Sequence, residues 1–241
     1  MTLKVIAYAR NGHSDKFGIP RQSREESPIL TRIVFEPEYS VPEALRGIDG
    51  YSHLWLLWGF SEVQKDKAES DWSPTVRPPR LGGNKRMGVF ATRSPFRPNP
   101  IGMSSVRLVR VQTDDASGAK GNRTELIVSG ADLLDGTPIY DIKPYLSFSD
   151  CHPEAKNGFA EETKDYRLEV DWTEVSESIA NDAKLKEDLT YILSQDPRPA
   201  YQDDPTREYK LDYAGYTVTF TVDASTAHVR GLNPSPITRH P

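Results

Sequence analysis

The chain has 241 residues and a mass of 27.1 kDa, enough to bury one large core, or one core and a smaller companion. Its 37% hydrophobic and 27% charged residues lie in the soluble globular range, and no apolar run approaches the roughly 20 residues that cross a bilayer. A single cysteine, Cys151, excludes an intramolecular disulfide and a thiolate cluster, and the five histidines show no metal-ligand spacing, so no metal is expected. The N-terminus lacks an apolar core followed by a small-residue cleavage site, which points to a cytoplasmic protein. His152 follows Cys151, but nothing in the sequence orients it as a base for that thiol.

In chain order, residues 3–9 read as a first strand, closed by the turn signal Asn11-Gly12. Residues 13–22 lack any period and form a loop, in which Phe17 offers a stacking surface, Arg21 a charged fork and Gln22 a two-way amide. Such a trio can hold a nucleoside; the alternative is a plain surface loop. Residues 29–35 give a second strand, and residues 42–46 a helical turn with proline first. The run HLWLLWGF at 53–60 reads as a fully apolar, central strand, with His53 as a structural residue at its start. Within the next segment residues 87–91 are short enough for a strand, and residues 102–112 form a longer one. After the polar connection 114–122, residues 124–128 return and residues 138–142 make the last strand of the series. Many short strands with turns between them argue for a closed or nearly closed β-barrel. The fold class is therefore mainly β. No GxGxxG follows the first strand, so the usual cue for a doubly wound nucleotide-binding fold is missing.

The C-terminal part differs in style. Residues 167–172 suggest a strand, residues 176–195 a helix with Leu185, Leu189, Ile192 and Leu193 at helical spacing, and Ser176 and Ser178 candidate caps. Proline in DPRPAYQ at 196–202 ends that helix. Residues 208–213 and 216–223 alternate around Ala214-Gly215 as a hairpin. The expected division is a barrel domain over residues 1–160 and a small α+β domain over 161–241. Residues 165–241 carry eight basic and fourteen acidic residues, so this part alone should repel a nucleic-acid backbone.

The chemistry concentrates in residues 77–105, RPPRLGGNKRMGVFATRSPFRPNPIGMSS. Extended to Arg110, the stretch holds eight Lys or Arg and no Asp or Glu, within a chain of net charge −5. The rest of the chain then carries −5 − 8 = −13, so the basicity is local. Five prolines, four glycines and two asparagines favour a shaped loop over a helix, and Arg forks on such a loop suit phosphates and planar bases. A solvated basic surface loop is the plainer alternative.

RPPRLGGN followed by RMGVFATRSPFRPNPIGMS resembles the signature of the TsaA/YaeB family, the TrmO-type tRNA methyltransferases. KFGIPRQ at 16–22, GYSHLWLLWGF at 50–60 and LLDGTPIYDIKPY at 133–145 match that family too, so the resemblance covers about the first 150 residues. DPRPAY recurs in its longer members. The resemblance implies methylation by S-adenosylmethionine of N6 of an adenosine at position 37, beside the anticodon, that already carries a threonylcarbamoyl group. It also implies a tRNA partner engaged at the anticodon arm, and a homodimer. Pro20, Arg21, Gln22, Ser61, Glu62, Arg93, Met103, Asp135, Gly136, Thr137 and Pro138 match positions on the cofactor side.

Other roles stay open between two readings each. Asp135 binds the ribose hydroxyls or merely forms its Asp-Gly turn; Asp141 accepts the amine proton or is a paired structural carboxylate; Met103 contacts cofactor or packs. Arg77, Arg80, Lys85, Arg86 and Arg97 are candidates for tRNA phosphates or for the substrate's threonyl carboxylate. Asn99 reads a base or braces the loop, and Lys143 and Tyr145 follow the last strand towards the same cleft. Methyl transfer to an amino nitrogen is an in-line displacement that asks for alignment rather than a covalent nucleophile. The competing reading is a non-catalytic RNA-binding barrel with a basic platform. A small-molecule hydrolase would need a nucleophile and base that the sequence does not offer.

Overall fold

A computed structural model describes residues 2–20, 22–24, 26–60, 72–78, 85–114, 123–175, 182–198, 202 and 204–235, without the side chains of residues 114, 123, 162 and 163. The chain divides into two compact units, one made of Met1–Asn11, Arg21–Pro78 and Asn84–Cys151, the other of Gly12–Pro20, Pro79–Gly83 and His152–Pro241.

The first unit is a closed barrel of six antiparallel strands: β1 (Ala7–Arg10), β2 (Leu30–Phe35), β3 (His53–Gly59), β6 (Ile101–Asp114), β7 (Arg123–Ser129) and β8 (Pro138–Pro144), in the order β1-β2-β7-β6-β3-β8. A two-stranded ribbon of β4 (Thr75–Val76) and β5 (Met87–Gly88) lies in the connection from β3 to β6. Closure pairs every barrel strand on both sides and leaves no open edge. The barrel interior is filled by alternate residues, among them Ala7, Ala9, Ile33, Leu54, Leu56, Trp58, Val106, Leu126, Val128 and Ile139.

That alternation corrects the expectation for HLWLLWGF. β3 is central, between β6 and β8, but only Leu54, Leu56, Trp58 and Gly59 are buried. A barrel strand has one inner and one outer face, so His53, Trp55 and Leu57 point outward. Trp55 donates its indole N–H to Asp150 (2.8 Å), the last residue of a short helix α1 (Ser147–Asp150), and Tyr145 packs against both His53 and Trp55. The first strand is shorter than the sequence suggests, and residues 89–91 form a 3-10 turn where a strand was expected. Val89 donates to the Pro74 carbonyl, then the Thr92 amide folds back on Val89, which ends the ribbon after two residues.

The second unit holds a four-stranded sheet in the order β10-β11-β12-β9, with β9 (Glu169–Asp171), β10 (Tyr209–Tyr213), β11 (Tyr216–Asp223) and β12 (Thr226–Pro234), and a helix α2 (Ala183–Ser194). The hairpin around Ala214-Gly215 forms as expected, while β12, unread in the sequence, pairs along the whole of β11 and runs parallel to β9. Helix α2 buries Leu185, Leu189, Ile192 and Leu193, the four positions its periodicity marks. Its N-cap is Asp182, whose carboxylate accepts from the Lys184 and Leu185 amides; the serines expected to cap it lie outside the described residues. Gly12–Pro20 packs within this unit, with the ring of Phe17 stacked near Tyr209 and tilted towards Phe220. The stacking face attributed to Phe17 is thus occupied by protein.

Candidate active site

Six antiparallel strands that alternate direction in chain order send every second connection to the same rim of the barrel. Registers fix which: Gly59 at the end of β3 pairs with Ile101 at the start of β6, and Tyr8 near the end of β1 pairs with Pro138 at the start of β8. The connections β1–β2, β3–β6 and β7–β8 therefore share one rim. Those three connections carry Gln22, the basic stretch, and residues 130–137 respectively.

Within this rim Arg93, on the basic loop, donates from Nη1 to the side-chain oxygen of Gln22. Both are exposed, so the contact joins two loops across open surface. The loop beyond Arg93 is braced by its own polar groups: Thr92 hydroxyl to the Val89 carbonyl (2.9 Å), and the Ser94 amide to the Thr92 hydroxyl (3.2 Å). The Phe96 amide continues the series to the Ser94 hydroxyl (3.2 Å). Arg97 donates to the carbonyls of Thr92 (3.1 Å) and Ser94 (3.4 Å). Its guanidinium is used inside the loop, which favours bracing over a phosphate contact.

The third connection is tied to β1. Gly136 takes φ +80°, a left-handed conformation that side-chain-bearing residues rarely adopt, and its amide donates to the Ala9 carbonyl (2.9 Å). Asp135 accepts from the Asn11 amide (3.0 Å) and faces the Arg10 guanidinium at 3.6 Å, yet stays exposed. Thr137 is buried and spends its hydroxyl on the Leu134 carbonyl (2.8 Å); Pro138 opens β8. Asp135 is thus both a turn former and a paired carboxylate, with room for a further partner on its open side.

Below these loops lies a buried polar line absent from the sequence reading. Trp58, inside the barrel, donates its indole N–H to the Ser104 hydroxyl (2.9 Å), and that hydroxyl donates to the Asp132 carboxylate (2.5 Å). Asp132 is half-buried, and desolvation pushes its carboxyl above the usual carboxylate range. The Ser104 hydroxyl, its own backbone amide, the Arg93 charge and the Ser23 backbone pull the other way. The available signal was one acidic residue inside the apolar run GADLL; its partners are far away in sequence.

The outward face of the barrel adds a second row. Met103 on β6 pairs with Leu57 on β3, and Leu57 with Asp141 on β8. Met103 is 57% exposed, so its thioether is presented rather than packed. Asp141 accepts from the Ile142 amide (2.9 Å) and pairs with Lys143 (2.9 Å). Lys143 and Tyr145 sit progressively further from the loop rim, where β8 runs towards the opposite end beside Trp55 and His53. Arg77, Lys85 and Asn99 are exposed, and Arg86 donates to the Thr75 hydroxyl (3.0 Å). Pro20 is buried within the second unit; Arg21, Ser61, Glu62 and Arg80 lie outside the described residues.

This set combines a guanidinium, an amide, two carboxylates and an exposed thioether around loops held by backbone contacts. Comparison with known proteins shows the family. The family model of the tRNA-methyltransferase O N-terminal domain matches residues 8–151, and that of the TrmO C-terminal domain matches residues 165–235. A tRNA (adenine(37)-N6)-methyltransferase of Escherichia coli is 38% identical over 95% of this chain and 96% of its own. A Pseudomonas aeruginosa protein named as an S-adenosylmethionine-dependent methyltransferase, RcsF, is 40% identical over 86% of this chain and 87% of its own. A crystal structure of TrmO from Pseudomonas aeruginosa superposes with a TM-score of 0.72 at 30% identity, covering 96% of this chain and 98% of the other.

Proposed function

The chain belongs to the tRNA-methyltransferase O family, and from that premise we propose how its residues carry the family's reaction. It is an S-adenosylmethionine-dependent tRNA (adenine-37-N6)-methyltransferase. The observation that carries the residue-level reading is the arrival of three separate connections, bearing Gln22, Arg93 and Asp135, at one rim.

When bound, S-adenosylmethionine supplies an electrophilic methyl group on a sulfonium. The residues that would hold it are Arg93 and Gln22 with Arg21, Ser61 and Glu62 from the matching words, Met103, and the Asp135, Gly136, Thr137 and Pro138 turn. Asp135 offers its open side to ribose hydroxyls, and the backbone turn at Gly136 allows close approach of a ligand. The adenine N6 lone pair is delocalised into the ring, so a group that takes its proton assists; Asp141, half-exposed in the row with Met103, fills that role. Asn99 reads the base. Arg77, Arg80, Lys85, Arg86 and Lys143 meet tRNA phosphates or the threonyl carboxylate of an acceptor that is already threonylcarbamoylated.

The same reading divides the chain into a catalytic domain over residues 1–160 and an α+β domain over 161–241, and places it in the cytoplasm. It also pairs the chain as a homodimer. Exposed apolar side chains cluster in sequence around the basic stretch, with Trp72, Phe90, Phe96, Ile101 and Met103 each at least 40% exposed, and a second copy would cover them.

Mass spectrometry of tRNA nucleosides from cells with and without this chain tests the reaction: loss of one methyl group from a threonylcarbamoyl adenosine is expected. Calorimetry separates it from the rival RNA-binding barrel, since only the enzyme binds S-adenosylmethionine without RNA present. Light scattering on the free protein tests the dimer.

A further inference from the structure

Asp132 is a carboxylate in an unusual position. It lies in the β7–β8 connection, flanked by the buried Ala131 and Leu133. Its Oδ1 receives the hydroxyl of Ser104, which sits on β6 and is itself fixed by the Trp58 indole on β3. The Ser23 backbone, next to Gln22 in the β1–β2 connection, and the Arg93 charge in the β3–β6 connection also act on it. Through Ser104 this carboxylate is thus tied by hydrogen bonds to the two strands beneath its own connection, the one that carries Asp135. Withdrawing a carboxylate from water is costly unless it is hydrogen-bonded, and at Asp132 the Ser104 hydroxyl supplies that bond.

We propose that Asp132 is a positioning residue of the methyl-transfer site: from the fixed point at Ser104 it holds the β7–β8 connection, and with it the Asp135–Pro138 turn, in the arrangement that receives S-adenosylmethionine. It acts through that turn and does not touch the transferred methyl group. Because Ser104 donates its only hydroxyl proton to Asp132, while the Trp58 indole fills the hydroxyl's acceptor side, the orientation of the carboxylate is specified from below. The turn that begins three residues on is then held from below by this carboxylate and from the side by the Asn11 amide on Asp135 and the Gly136 amide on the Ala9 carbonyl.

The proposal rests on the methyltransferase reading, and the experiment keeps the two apart. Wild-type protein is assayed first for methyl transfer to tRNA; absence of turnover would defeat that reading and leave Asp132 aside. With an active wild type, Asp132→Asn keeps the size and an acceptor for Ser104 but removes the charge. Its KM for S-adenosylmethionine is expected to rise about tenfold or more, the scale of one charge-assisted hydrogen bond, with a smaller change in KM for tRNA. Asp132→Glu is expected to recover part of the loss. A merely structural role would lower the melting temperature and the active fraction while leaving KM unchanged. A KM for S-adenosylmethionine within twofold of wild type, in folded Asp132→Asn, overturns the proposal. Ser104→Ala gives a second readout should that variant not fold. It retains the carboxylate but removes a hydrogen bond that favours ionisation, so the acid limb of kcat/KM should move to higher pH. An unmoved limb would overturn the proposal as well.

Discussion

The indole of Trp58 lies directly over Gly102 on the neighbouring strand: a Cβ built on that glycine would come within 2.3 Å of the ring. The two residues are register partners in β3 and β6, so neither can step aside without breaking the ladder. Gly102→Ala should therefore displace Trp58, and with it the hydrogen bond that fixes Ser104. Overpacking of this kind costs about 1–3 kcal/mol. Thermal melting should show the loss, and calorimetry should show weakened binding of S-adenosylmethionine even though residue 102 touches no ligand.

Asp132 sets activity against stability. Burial raises its carboxyl in the folded chain above the unfolded value, so the folded state holds its proton more tightly. The contribution to stability is then favourable at acid pH and is lost as pH rises through the raised value. At neutral pH the ionised form burdens the fold, and Asp132→Asn should melt no lower than wild type there while binding cofactor less well. Melting curves for both proteins at acid and neutral pH check the sign; a large drop for the variant at neutral pH would contradict it.

His13 gives the second unit an opposite pH response. It is 1% exposed, its ring meets Tyr213 edge-on at 5.1 Å, and burial lowers its pKa to about 4. The unfolded chain takes up this proton near 6.5 and the folded one only near 4, so stability should fall as pH drops across that window, by roughly 3 kcal/mol in total. His13→Phe should flatten this part of the pH profile, as followed by chemical denaturation of the full chain.

The basic residues should separate by what their side chains already hold. Lys85 is exposed, and Lys85→Ala should weaken tRNA binding, lower the salt slope by about one unit, and leave binding of S-adenosylmethionine alone. Arg97 braces the Thr92 and Ser94 carbonyls, so Arg97→Ala should loosen the loop that carries Arg93 and weaken both ligands. Titrations of each variant with tRNA at several salt concentrations, and with cofactor, distinguish the two patterns.

The barrel was readable because two-residue alternation survives in β6, and because turn residues punctuate the strands. What escaped depended on closure. Ser104 and Asp132 are 28 positions apart, and nothing local announces that they meet; only the pairing of β6 with β7 and β3 brings them together. β12 escaped for another reason. Gly231, Asn233 and Pro234 weaken its strand signal, and its conformation comes from the register with β11. The cap of α2, Asp182, escaped because serines are common caps and drew attention upstream; its carboxylate reaches the free amides of Lys184 and Leu185. Conversely, Gln22, Arg93 and Asp135 were legible as family words long before geometry gathered their connections at one rim.

The second unit is not a simple tail. It includes Gly12–Pro20, whose Gly12 carbonyl receives the Ala214 amide and whose Phe17 stands among Tyr209 and Phe220. Cleavage after residue 160 would cut the polypeptide once, yet the released C-terminal piece would lack a part of its own interior, and the N-terminal piece would carry that part as an uncovered aromatic loop. Genetic dissection of this protein by simple truncation thus wounds both halves, and a clean separation would require grafting that short loop onto the fragment it serves.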